Sequence, residues 1–168
     1  MSGQNHLIFI SYPNGALPYA TQAKHVFEGN DYRTWVWEYD RPAIGDRDEI
    51  LMAAIRDCNH VAFICTPSTP KSEGQIKEGA WAKAYEKVPP ILLVFHTDYI
   101  LEMFSTPKMF NEVTDTTFPS DCQAAIDRHE REQPFNSSPG ETDEGNPIQV
   151  KSADILEVTL QEESKVVK

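Results

Sequence analysis

Short apolar runs alternate along this chain with stretches whose apolar residues recur every three or four positions. Leu7–Ser11 (LIFIS), Arg33–Trp37, His60–Cys65 and Ile91–Phe95 read as strands, the second from its aromatic and β-branched content. Val113–Phe118 reads as a weaker fifth strand. Between them lie helical signals. Pro18 stands in the first turn of a helix that runs to Phe27 and stops at Gly29. Asp46-x-x-Glu49 opens a second helix, with Leu51, Ala54, Ile55 and Cys58 on one stripe. Ser72 and Gln75 open a third helix, through about Tyr85, whose apolar stripe is Ile76, Ala80 and Ala84. Ser120 and Gln123 open a last one, with Cys122, Ala125, Ile126 and His129 together. Residues 98–112 are ambiguous and admit a short broken helix.

Strands alternating with helices predict a parallel sheet covered on both faces. The expected class is α/β: a flavodoxin-like three-layer sandwich with a five-stranded parallel sheet in the order 2-1-3-4-5. Ligands in such sheets sit beyond the carboxyl ends of the strands, which selects Tyr12–Gly15, Glu38–Gly45 and Thr66–Gln75.

Composition divides the chain near residue 133. Residues 1–133 hold 12 basic and 19 acidic residues; residues 134–168 hold three and seven, with three prolines. The stretch NSSPGETDEGNP has too little apolar surface to order itself, so 134–168 is expected to be an acidic, partly disordered tail. The net charge of −11 argues against nucleic acid or an anionic membrane as a partner. Apolar runs such as Val61–Cys65 are far too short to span a bilayer, and the start of the chain does not read as a secretory signal. Three cysteines with no C-x-x-C spacing imply reduced thiols and a cytoplasmic protein.

Several chemistries lack their residues. SYPNGALPY after the first strand has no G-x-G-x-x-G, and Ser11-Tyr12 supplies no carboxylate cluster for a phosphoacceptor site. No metal-ligand spacing occurs, so no metal is expected. The motifs that are present are FISY at 9–12, the loop EYDRPAIGD at 38–46 with the helix after it, and SEGQIKE at 72–78. In this order and spacing they resemble the Toll/interleukin-1 receptor (TIR) domain, over about residues 6–131, and the prokaryotic NAD-cleaving type in particular. In that family a glutamate on the third helix separates members that hydrolyse or cyclise NAD+ from those that only assemble. The resemblance places it at Glu78. The position four residues earlier, often aromatic in animal NAD-cleaving members, is Gly74 here, as in many prokaryotic sequences.

One acid suits this chemistry. Nicotinamide is cationic in NAD+ and leaves neutral, so the departing nitrogen needs no proton, and the charge to stabilise develops on the ribose. NAD+ is then substrate, and no cofactor is implied. Other candidates stand around Glu78. Tyr12, with Pro13 and Asn14, either lines the pocket or packs at the strand end. Trp37 belongs to the core or to the mouth of the site. Asp40 touches ribose or caps a turn. Arg41 and Arg47 are the basic residues near the second loop, and a phosphate contact competes there with simple solvation. Ser72 and Gly74 begin the third helix, and Trp81 either walls the pocket or covers a neighbouring helix.

The resemblance also implies self-association through the Glu38–Gly45 loop. It further implies a nucleotide product, ADP-ribose or a cyclic isomer, that acts on a separate effector protein, as in Thoeris-like anti-phage immunity. Two alternatives stand beside this: a non-catalytic adaptor or host-interfering module, and a nucleoside deoxyribosyltransferase-like enzyme.

Overall fold

In the computed structural model, residues 5–104 and 109–132 are described. Parallel pairing joins β1 (Leu7–Ser11), β2 (Arg33–Trp35), β3 (His60–Cys65), β4 (Ile91–Val94) and β5 (Phe110–Glu112) in the order β2-β1-β3-β4-β5. The helices are α1 (Leu17–Gly29), a four-residue turn α2 (Trp37–Asp40), α3 (Arg47–Asp57), α4 (Glu73–Ala84) and α5 (Phe118–Glu132). The sheet belongs to a unit of residues Met1–His129. The expected acidic tail, from residue 134 onward, lies outside the described residues. Among those described, no helix is long and apolar enough to cross a membrane.

Side chains on a strand alternate between faces, and here both faces are apolar. Phe9, Val61, Phe63, Cys65, Leu92 and Val94 form one cluster with Leu51, Ala54 and Ile55 of α3 and Ala82 of α4. Ile8, Ile10, Ala62, Ile64 and Leu93 point the other way and are also buried. On that side α1 and α5 are joined by reciprocal amide hydrogen bonds between Asn30 and Gln123, at 2.8 and 2.9 Å. Each fully buried large side chain contributes about 1.5–3 kcal/mol. Cys58, Cys65 and Cys122 are all free and buried in this core.

Three expectations need correction. The second strand stops at Trp35 rather than Trp37, because the Val36 amide donates to Asp40 Oδ2 (2.8 Å) and the Tyr39 and Asp40 amides donate back to the Val36 carbonyl. The fifth strand lies at Phe110–Glu112, before Val113–Phe118, and residues 102–104 within the ambiguous stretch form a 3₁₀ turn. The polar run after β5 serves instead as the entry to α5. There Asp121 Oδ2 accepts from the Thr114 amide and the Thr117 hydroxyl, so that helix begins two residues before Ser120.

At the amino end of the strands, His6 Nδ1 lies 3.2 Å from His60 Nε2, and His60 Nδ1 lies 3.4 Å from His129 Nε2. Burial, with the positive charge that His129, His6 and Lys87 bring, pushes His60 down from 6.5 to about 3. The unfolded chain therefore takes up a proton that native His60 refuses. The stability this provides is complete above about pH 6.5 and is lost as pH falls toward 3. Urea midpoints measured against pH should fall on acidification more steeply for the wild type than for His60→Asn; equal slopes would remove His60 from the acid response.

A Cβ built on Gly79 meets Met103 Sδ at 2.8 Å, Leu101 Cδ1 at 3.0 Å and Phe104 Cε2 at 3.3 Å. Segment 101–104 thus rests directly on the α4 backbone. Gly79→Val should cost about 1–3 kcal/mol by overpacking, read from chemical denaturation, and an unchanged stability would contradict this contact.

Candidate active site

Helix α4 starts where the capping pattern predicts, with Ser72 Oγ accepting from the Gln75 amide at 3.2 Å. Its buried face is not the expected one. Ile76 is 40% exposed and Ala80 and Ala84 face solvent, whereas Gln75, Glu78, Gly79 and Ala82 point inward. The reason lies in the strands below. Near the ends of β1 and β3, Gln75 Nε2 donates to two strand carbonyls, 2.9 Å to the Ile64 oxygen and 3.4 Å to the Ser11 oxygen, and the Thr69 hydroxyl shares the Ile64 oxygen at 3.4 Å. An inward Gln75 brings Glu78, one turn later, to the same face.

Beneath Glu78 is Ser11, the last residue of β1. Strand alternation puts it on the Phe9 side, the side of α3 and α4. Its hydroxyl donates to Glu78 Oε1 at 2.6 Å. Both groups are enclosed, Ser11 at 1% and Glu78 at 6% exposure. Burial pushes the Glu78 carboxyl up from 4.5 to about 7, against the Ser11 hydrogen bond and the positive charge of Arg47, which both favour ionisation.

Arg47 opens α3 behind the Asp46 cap, whose Oδ2 accepts from the Glu49 amide at 3.0 Å. The Arg47 guanidinium lies over the Trp37 ring, 4.9 Å from its centroid, and Arg41 lies 5.6 Å from the same ring. Arg47 Nη2 is 4.0 Å from where a Cβ on Gly74 would stand, so the guanidinium flanks the first turn of α4. Tyr12 is half-buried beside the Glu38 backbone. Burial raises its hydroxyl's pKa, the Glu38 amide opposes this, and negative charge at Glu38 and Glu78 adds to it.

Tyr12, Trp37, Arg47, Gly74 and Glu78 thus gather at the carboxyl end of the sheet. The other candidates are placed more loosely. Pro13 is buried and Asn14 exposed in the turn after β1. Asp40 caps the α2 turn, Ser72 caps α4, and Arg41 stands exposed against Trp37. Trp81 packs on the apolar cluster under α3 and α4. Sequence reasoning passed over Ser11 and Gln75. The usable signal for both was a polar residue at a register position whose neighbours on that face are apolar. Among the described residues no group of three His, Cys, Asp or Glu side chains could hold a metal ion.

No protein-family model matches this sequence, and no curated protein matches it. Among solved structures, a prokaryotic SEFIR domain matches with a TM-score of 0.56 at 14% identity, over 81% of this chain and 99% of that one. The chain has a TIR-like fold. The TIR domains of the activated Roq1 resistosome, which directly recognises the pathogen effector XopQ, match more loosely. That pairing has a TM-score of 0.47 at 12% identity, over 77% of this chain and 75% of that one. At such identities the likeness of this chain to its neighbours concerns the fold alone.

Glu78 in this TIR-like fold costs stability when ionised. The native carboxyl keeps its proton up to about 7 and the unfolded one loses it near 4.5, so stability falls as pH rises across that window. Relative to wild type, Glu78→Gln should gain up to about 3 kcal/mol between about pH 4 and pH 8. A difference that stays flat with pH would place the carboxyl in water.

Proposed function

We propose that this chain cleaves the nicotinamide–ribose bond of NAD+, with Glu78 as the catalytic carboxylate. The observation that supports this most is the enclosed Glu78 carboxyl at the carboxyl ends of β1 and β3, beside Trp37, Tyr12 and Arg47. An oxocarbenium-like ribose wants a nearby anion in a poorly hydrated site, and a buried carboxylate supplies it more strongly than a solvated one. Ser11 holds Oε1, which leaves Oε2 to meet the sugar. The positive nicotinamide ring of bound substrate favours the ionised carboxyl, and its departure as a neutral base needs no acid. Aromatic faces at Trp37 and Tyr12 suit the flat rings of a dinucleotide, and the guanidinium groups of Arg41 and Arg47 suit its pyrophosphate.

Free nicotinamide, with ADP-ribose or a cyclic isomer, should appear when concentrated protein is incubated with NAD+. Glu78→Gln should lower turnover by roughly 10²–10³, the usual size for one electrostatic stabiliser. Equal rates for variant and wild type would remove Glu78 from the mechanism. Cleavage of nucleosides without NAD+ would favour a deoxyribosyltransferase reading, and neither activity would leave an adaptor.

The same reading includes control by assembly. The loop from Glu38 to Gly45 carries Ile44 at 87% exposure, an isoleucine that the described residues leave largely uncovered. Gly45 holds a φ of +135°, a conformation open to glycine and strained for other residues, so the loop's shape is built in. A neighbouring copy that receives Ile44 would complete the site, and the nucleotide product would act on a separate effector, in the cytoplasm, as anti-phage defence. Specific activity should rise with protein concentration, and Ile44→Asp should flatten the rise. A constant specific rate from dilute to concentrated wild type would count against assembly control.

A further inference from the structure

We infer that Ser11 is a positioning residue for Glu78, and that Gln75 is the brace holding Ser11 beneath it; the inference rests on the proposed NAD+ cleavage. Three polar side chains, Ser11, Gln75 and Glu78, are buried side by side at the end of a largely apolar layer, with Thr69 buried next to them and donating to the same Ile64 carbonyl at 3.4 Å. Each would need compensation simply to be there. Replacing such a group by well-packed apolar side chains is often neutral or stabilising, so stability alone does not call for it. Their connections run in one direction. The Gln75 amide donates to the Ile64 and Ser11 carbonyls, which ties the first turn of α4 to the ends of β3 and β1. The Ser11 side chain then donates to Glu78 Oε1.

The orientation of the Gln75 amide follows from its partners. Two carbonyl oxygens face Nε2, and a flipped amide would set oxygen against both. Among the described residues Gln75 Oε1 is left buried and without a hydrogen-bond partner, so the amide stands here although only half of it is satisfied. Its one evident task is to fix the spacing between α4 and the strand end that carries Ser11.

A donated hydroxyl does two things for a carboxyl group. It pins rotation, so one oxygen is committed and the other is aimed, and it favours the ionised form, which is the form that steadies a ribosyl cation. Loss of the hydroxyl therefore predicts a defect that depends on pH. At neutral pH fewer molecules carry the ionised carboxyl, and at high pH the deficit closes apart from the loss of aim.

The test uses the intact protein in three forms: wild type, Ser11→Ala and Ser11→Thr. Side-chain carboxyl ¹³C NMR follows the Glu78 midpoint, with the resonance assigned by its absence in Glu78→Gln, and NAD+ cleavage is measured against pH. Ser11→Ala should move the Glu78 midpoint and the acid limb of kcat/KM upward together, by about one pH unit. At neutral pH its kcat should fall about tenfold, with KM changed less than about twofold. Ser11→Thr, which keeps the hydroxyl, should restore both midpoint and limb. An unmoved midpoint, or a moved midpoint with an unmoved acid limb, overturns the inference. A wild type that cleaves no NAD+ overturns the proposed function instead, and the midpoint in Ser11→Ala still decides whether Ser11 governs Glu78.

Discussion

A parallel sheet leaves backbone carbonyls at the ends of its strands, and something must donate to them. In this chain the Gln75 side chain, on the helix that crosses over β1 and β3, donates to the Ser11 and Ile64 carbonyls, sharing the second with the Thr69 hydroxyl. Much of the site follows from that contact. A glutamine turned inward rotates α4 so that residue 78 faces the sheet, and the face it displaces, Ile76 with Ala80 and Ala84, is left to solvent. Gly79 then lets segment 101–104 lie against the helix backbone, which holds the rotation in place from the other side.

The electrostatic consequence is a carboxyl group balanced near neutrality. Burial opposes its charge, while one hydroxyl and one guanidinium favour it. A carboxyl on a solvated helix face would be fully ionised and well hydrated, with little left to offer a developing cation. The opposite end of the sheet carries a contrary arrangement. There burial holds His60, between His6 and His129, neutral, and His60 favours the native state at higher pH just where Glu78 disfavours it. Between pH 4.5 and 6.5 these two linked titrations push stability in opposite directions as pH rises.

Much of the architecture was legible in the residues. Leu7–Ser11 and His60–Cys65 read correctly as strands because apolar runs of that length, bounded by polar residues, suit a sheet buried on both faces. Asp46 and Ser72 were found as caps because their chemistry is local: a side-chain oxygen and an amide three residues on. The failures are equally physical. The apolar period of α4 pointed to Ile76, since periodicity counts methyl groups and takes no account of strand-end carbonyls in need of a donor. Val36 and Trp37 looked like strand, yet Asp40 captured the Val36 amide and closed a turn. Glu78 itself was located by resemblance, and its spacing alone describes an ordinary surface glutamate. Its enclosure by Ser11 becomes visible only when β1 and α4 are set together.

The central claim is that the Glu78 carboxyl faces the sugar whose bond is broken. A crystal structure of the Glu78→Gln variant with NAD+ bound tests it most directly. The anomeric carbon of the nicotinamide ribose should lie in contact with the side chain at position 78, with the dinucleotide running past Trp37 and Tyr12. NAD+ seated elsewhere, for instance in the open groove between Pro70, Ile76 and Met103 on the outer side of α4, would contradict it.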